Sequence, residues 1–344
     1  MKILAIESSC DDTSAALIEF KNSTPIVLAE KTASQIEIHK IYGGVVPEVA
    51  GRYHAENILP VIEAVLEGQT PPDAIAVTSG PGLITGLIVG VEAARNLSYL
   101  TKIPVIKVNH ISGHIHSVLL GKNAPKKLPY PHLSLVVSGG HTAFILSTAS
   151  GKYRRLDGTL DDAVGECFDK VASLLGFDYP GGPKISKAAE TGRPNMVSLP
   201  RPMLKSNDLK MSFSGLKTAA LYWLRDHAIT PLDTNGDAPN VNDFCLEFEQ
   251  AITDILCSKL KLALDKYKPK AVIFSGGVSA NKKLRQELEK TTKTHKTKPL
   301  FFVPEIKYAM DNAAMIAVAA WVDAKNKKFT PWRKLKADPN WEIG

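Results

Sequence analysis

The chain has 344 residues, long enough for two domains, and 44% apolar with 22% charged residues excludes disorder and collagen-like structure. No run reaches the roughly 18 apolar residues of a membrane span, since Leu83 to Val91 is short and carries two glycines. The net charge of +7 is uneven: residues 1–130 hold 11 Lys+Arg against 12 Asp+Glu, and residues 131–344 hold 31 against 23. Clustered Lys and Arg gain affinity by releasing phosphate counterions, so the second part is the expected face for a polyanion, with a solvated lysine-rich surface as the alternative.

In chain order, the start meets Glu7 too early for a secretory apolar region. Ile3 to Leu17 reads as strand, small polar turn (Glu7-Ser8-Ser9-Cys10-Asp11-Asp12) and second strand. Asn57 to Leu66 has helical spacing. Ala74 to Val77 is a buried strand entering Thr78-Ser79-Gly80-Pro81-Gly82. Leu133 to Leu146 repeats the opening pattern around Ser138-Gly139-Gly140-His141, with Ser8 and Ser138 standing 130 residues apart. Phe244 to Tyr267 places Phe244, Phe248, Ile252, Ile255 and Leu262 on one helical face. Ala271 to Phe274 then enters Ser275-Gly276-Gly277. The economical explanation is an α/β fold duplicated in one chain, first lobe 1–130 and second lobe 131–344. The second lobe carries an insertion of about 66 residues near 151–217, and a C-terminal helix.

Glycine turns after strands leave backbone N–H groups open to phosphate. Four such turns in two halves facing one cleft suit a nucleotide-like ligand. Asn281 either caps the following helix or bonds that ligand. His110 and His114 stand at i and i+4, on one face of a helix, the spacing that lets two imidazoles share a metal ion. Asp311, at the mouth of an apolar helix, is the candidate third ligand or else that helix's N-cap. His116 points elsewhere. A zinc protease needs a glutamate beside the first histidine, and Ile111, Ser112 and Gly113 supply none. Asp169 can bond a ligand hydroxyl or lie on a solvated helix face. Cys10, Cys167, Cys245 and Cys257 lie far apart without a CxxC pair, which fits a reducing cytoplasm.

These residues together resemble the TsaD family, the bacterial relatives of the Kae1 and Qri7 proteins once labelled glycoproteases. The matching stretches run from Ile6 through Thr13, Tyr42 to Glu48, Gly80-Pro81-Gly82, the His110/His114 pair and Val137 to Thr142. They continue through Phe168-Asp169-Lys170, Asp178 to Pro183, Phe213 to Lys217, Gly276 to Asn281 and Asp311-Asn312. The resemblance implies the ASKHA fold (acetate and sugar kinase, Hsc70, actin), two lobes around a central cleft. It implies transfer of a threonylcarbamoyl group from threonylcarbamoyl-adenylate to N6 of adenosine 37 in tRNAs reading codons that begin with A. It also implies one divalent ion, Fe2+ or Zn2+, on His110, His114 and Asp311, and adenylate binding by Val136, Val137, Ser138, Gly139, Gly140, Asp169, Gly182 and Asn281. Asp11 is the candidate to assist proton removal from the amine. The implied partners are tRNA, a TsaB-like paralogue and a TsaE-like ATPase in the cytoplasm, with no membrane. Two positions depart from family usage: Val136 stands where some archaeal relatives have Tyr, and Asp12 where Glu is frequent. The rivals are an ASKHA small-molecule kinase, a metalloprotease, and a chain whose first half is mainly a docking surface.

Overall fold

A computed structural model describes residues 1–227 and 238–344. The chain forms two compact units, one of Met1–Leu128, Ala149–Tyr153 and Pro304–Gly344, the other of Pro129–Thr148 and Arg154–Val303.

In the first unit, β1 (Lys2–Glu7), β2 (Asp12–Lys21), β3 (Thr24–Ser34), β4 (Ala74–Gly80) and β5 (Val105–Asn109) form one sheet in the order β3-β2-β1-β4-β5. β1 runs antiparallel to β2 and parallel to β4, with Ile3 opposite Ile18 and Ala74. The central strands are apolar on both faces because both are covered. Leu4, Ile6 and Leu17 pack with Ile58, Ile62 and Val91, from α2 (Pro47–Leu66) and α3 (Ile84–Thr101). Ile3, Ala5 and Ile18 meet the opposite layer, α10 (Ala313–Lys325). Two short helices, α1 (Ile36–Lys40) and α4 (His110–His116), complete this unit's helices.

The second unit repeats the topology. β6 (His132–Val137), β7 (Thr142–Ala149), β8 (Lys152–Gly158), β9 (Ala271–Ser275) and β10 (Leu300–Phe302) are ordered β8-β7-β6-β9-β10, with the same antiparallel and parallel neighbours. Its core gathers α5 (Val164–Leu174), α6 (Gly181–Ala189), α7 (Ser214–His227), α8 (Val241–Tyr267) and α9 (Lys282–Thr294) with the sheet around Phe144, Phe244, Phe248 and Phe274.

Two boundaries differ from the sequence reading. The added segment does not begin at 151, because β8 is the counterpart of β3. The extra chain is the run of helices α5 to α8 between β8 and β9, where the first unit has only α1 and α2. β8 is half-exposed and mostly charged, so it shows no hydrophobic strand signal, whereas β3 carries the short apolar run Ile26 to Ala29 but no fully buried residue. The second lobe also ends early. Residues from Pro304 onward belong to the first unit, because the uniformly apolar α10 is buried there against β1 and β2.

Candidate metal centre and substrate turn

Asn109 ends β5 and caps α4, its Oδ1 accepting the N–H groups of Ile111 (3.0 Å) and Ser112 (3.3 Å). That cap places His110 at the first helical position and His114 one turn on. Gly113, between them, lets α4 lie directly on α10. A Cβ there would stand 2.8 Å from Ile316 Cδ1 and 3.2 Å from Met315 Cγ. The approach brings Asp311, just ahead of α10, to the two imidazoles. Its Oδ1 is 3.2 Å from His114 Nε2 and 3.6 Å from His110 Nε2, and one ligand atom from each residue lies within 4.8 Å of the others. The N-cap of α10 is Asn312, whose Oδ1 accepts from Met315 N–H (2.9 Å), so Asp311 is not the cap.

All three residues belong to the first unit. The expected lobe bounds, 1–130 and 131–344, put Asp311 in a different half from His110 and His114, and that placement is corrected. The chain returns to the first unit at Pro304, before Asp311.

The donor set suits a divalent ion. His114 Nδ1 is buried without a hydrogen-bond partner and Nε2 faces only Asp311 Oδ1, so this ring is short of partners, a costly state for a buried polar group that a bound ion would relieve at Nε2. Burial lowers the His114 pKa, so the ring is neutral and ready to coordinate. Burial also opposes charge on His110, but Asp311 and Glu7 outweigh it and raise that ring to about 9. His116 is turned away, its Nδ1 against the Ser112 carbonyl (2.8 Å) and its ring against Tyr153.

Glu7, Ser9 and Thr78 are given no site role by the sequence reading. Glu7 is fully buried under the pair; Ser9 N–H and Thr78 Oγ1 each donate to its carboxylate at 2.6 Å. Burial works against its charge, but His110 and Ser9 hold its carboxyl below the ordinary range. Ser9 Oγ also lies 3.0 Å from His110 Nδ1. Asp12 is raised to about 7, by burial first and then by Asp11. Asp11 sits half-buried in the same turn. A lone glutamate inside a strand carries no periodic signal, so only the contact with His110 exposes Glu7.

The four strand-end turns are not equivalent, and the first, Glu7 to Asp12, holds no glycine. In the first unit, Ser8 Oγ donates to Gly86 O (3.0 Å) and Leu83 N–H donates to Ser9 O (2.7 Å), so α3 sits directly on the β1–β2 turn. Residues 338–341 fill the Ser79–Gly82 turn: Asp338 N–H donates to Ser79 O (2.7 Å) and Gly82 N–H to Pro339 O (3.3 Å). In the second unit, Gly139 and Gly140 are exposed, and a Cβ on either would meet nothing within 4 Å. Val136 and Val137 are buried in β6, while Ser138 closes the turn with His141.

Contacts link that turn to the other expected substrate residues. Gly165 N–H donates to Ser138 O (3.2 Å), and Asp169 on the same helix accepts Gly181 N–H (2.7 Å), beside half-buried Gly182. Asp169 is thus not on a solvated face. Asn281 takes the capping role, accepting from Leu284 N–H (2.9 Å), and its Nδ2 donates to Glu249 (2.7 Å) and Ser186 (2.8 Å).

Two five-stranded mixed sheets of identical order, with helices on them, make this an ASKHA-type α/β protein bearing a His-His-Asp constellation. Solved structures agree on the fold. HypF of T. kodakarensis superposes with a TM-score of 0.62 at 13% identity over 97% of this chain and 49% of that one. Full-length HypF gives 0.59 at 12% over 94% and 46%, so the chain spans about half the length of these proteins. An activator of 2-hydroxyisocaproyl-CoA dehydratase from Clostridium difficile gives 0.54 at 14% over 95% and 97%. The chain belongs to the TsaD family, tRNA N6-adenosine threonylcarbamoyltransferase, whose family model matches residues 26–318. Relatives bearing that name include proteins of Anaeromyxobacter sp. (strain Fw109-5), 40% identical over 100% of both chains, and Syntrophomonas wolfei, 44% over 96% of this chain and 94% of that one.

Proposed function

We propose that this chain transfers a threonylcarbamoyl group from threonylcarbamoyl-adenylate to N6 of adenosine 37 in tRNAs reading codons that begin with A. Family membership over nearly the whole chain carries the reading. The kinase alternative rests on fold alone, and the protease alternative lacks a carboxylate between His110 and His114.

His110, His114 and Asp311 would hold one divalent ion, Fe2+ or Zn2+. Such an ion supplies a Lewis acid for phosphate or carbonyl oxygen. The chain's own task is orientation, because the adenylate is a mixed anhydride with a good leaving group and the adenine amine is a weak nucleophile. The open Ser138-Gly139-Gly140 turn offers backbone N–H groups to the phosphate. Val136, Val137, Asp169, Gly182 and Asn281 frame the nucleoside beside it. Asp11 accepts the proton that leaves the amine.

Lys and Arg of 152–217 and 282–298 are the proposed tRNA contacts, but several already hold carboxylates. Arg193 pairs with Asp243, Arg201 with Glu247, and Lys217 with Asp162. Lys184 and Lys187 on α6 and Lys282 at the start of α9 are exposed, on helices joined by the Ser186–Asn281 bond. Binding is expected to weaken with salt by a log–log slope near −0.7 to −0.9 per phosphate neutralised, and Lys184→Ala/Lys187→Ala to reduce that slope. A salt-independent affinity in filter binding refutes the contact.

A TsaB-like paralogue and a TsaE-like ATPase complete a cytoplasmic assembly in this proposal. No helix among the described residues is long and apolar enough to cross a membrane. Leu59 of α2 and Ile84 and Ile88 of α3 are exposed apolar side chains suited to the paralogue. The test is nucleoside analysis of tRNA incubated with threonylcarbamoyl-adenylate and this chain, with and without both partners. Modification only in the complete mixture is expected. Full activity of the chain alone overturns the dependence, and no product in any mixture overturns the activity.

A further inference from the structure

We propose that Glu7 is a positioning residue of the metal centre, fixing through His110 Nδ1 which ring nitrogen faces Asp311. The inference rests on the proposal that His110, His114 and Asp311 hold a metal ion. Glu7 ends β1, fully buried, and its carboxylate is shared among three groups. Oε1 accepts Ser9 N–H at 2.6 Å; Oε2 accepts Thr78 Oγ1 at 2.6 Å and lies 3.2 Å from His110 Nδ1. An ionised carboxylate only accepts, so the facing Nδ1 carries the hydrogen and the Nε2 lone pair is left for the ion. His110 Nε2 is indeed the atom directed at Asp311. Ser9 N–H and Thr78 Oγ1 hold the carboxylate from below, so the imidazole is oriented by the sheet rather than by α4 alone. Buried carboxylates behind metal-bound imidazoles fix tautomer and ring angle in this way.

Glutamine at position 7 keeps the shape but cannot satisfy all three neighbours. With its amide oxygen toward Ser9 N–H, its NH2 faces Nδ1, so Nδ1 either accepts, which leaves the hydrogen on Nε2, or turns its hydrogen to Ser9 Oγ (3.0 Å) against an opposing donor. With the amide reversed, two donors oppose each other at Ser9. Either arrangement weakens the ligand.

The probe is Co2+ added to the metal-free chain, read by its visible ligand-field bands and by chelator competition. Glu7→Gln is expected to bind Co2+ about 10- to 100-fold more weakly, with shifted bands. Thr78→Val, which keeps the carboxylate but removes one of its anchors, is expected to lose affinity by a smaller factor and to remain folded. Its affinity serves as the test if Glu7→Gln fails to fold. Wild-type affinity and unchanged bands in both variants, even with a lowered melting temperature, overturn the positioning role. Co2+ binding in the wild type that His114→Ala leaves unchanged overturns the metal site itself, a result distinct from failure of Glu7.

Discussion

Asp311→Ala is expected to release the metal ion and to lower threonylcarbamoyl transfer by on the order of a hundredfold or more, since even residues behind metal ligands cost 10- to 100-fold. The variant leaves two imidazoles without their carboxylate, whose Oδ1 lies 3.2 Å from His114 Nε2. His110→Ala should behave alike. His116→Ala should retain the ion, because its Nδ1 is turned to the Ser112 carbonyl. Metal content and nucleoside analysis decide the matter, and a fully metallated, active Asp311→Ala protein refutes the site.

The metal-free protein provides an independent check. His110 titrates at about 9, above the ordinary imidazole value of 6.5, because Asp311 and Glu7 overcome its burial. A raised value means that the proton stabilises the fold fully below pH 6.5 and that this contribution disappears as pH rises through about 9. The same proton must leave before the ion binds, so apparent metal affinity should rise over that window. Thermal unfolding of metal-free protein between pH 6 and 10 should show the decline, reduced in Asp311→Ala. Identical profiles for the two proteins would contradict it.

Gly80→Ala is expected to cost roughly 2–4 kcal/mol and to detach the chain from Asp338 onward. Gly80 adopts φ +150°, and a Cβ there would lie 1.8 Å from the Asp338 carbonyl oxygen and 2.9 Å from its carbon. The obstacle is backbone, with no side chain to rotate aside. Displacement removes the Asp338–Ser79 and Gly82–Pro339 bonds and the one from Asn109 Nδ2 to Trp341 O (3.0 Å). Asn109 also caps α4, so metal affinity should fall a few-fold along with stability. A chain ending at Ala337 should lose about as much stability, and adding Gly80→Ala to it should cost less than in the full chain, because the two changes act on one contact. Denaturant midpoints of the full chain and the three variants measure this. Full additivity would show that residues 338–341 do not pack on Gly80.

Duplication, the six inner strands and the His110/His114 spacing were legible in the sequence because each is written in local order. Buried strands are apolar runs, and one helical turn separates i from i+4. The match of motifs carried the family. What remained hidden depends on distant pieces of chain. β3 and β8 are edgeward strands with polar faces, paired only because β2 and β7 lie beside them. The unit to which α10 belongs was decided by which apolar layer lacked cover, and the first sheet's face at Ile3, Ala5 and Ile18 was that layer. Asp311 travels with α10, so the sequence could nominate it as a ligand but not locate it, and Glu7 stayed silent until His110 came to rest against it. Likewise, two Ser-containing turns of matching pattern, at Ser8 and Ser138, differ because α3 packs onto the first and leaves the glycines of the second open. A turn's backbone can be inferred from its residues, whereas its access to a ligand depends on what else the fold places there.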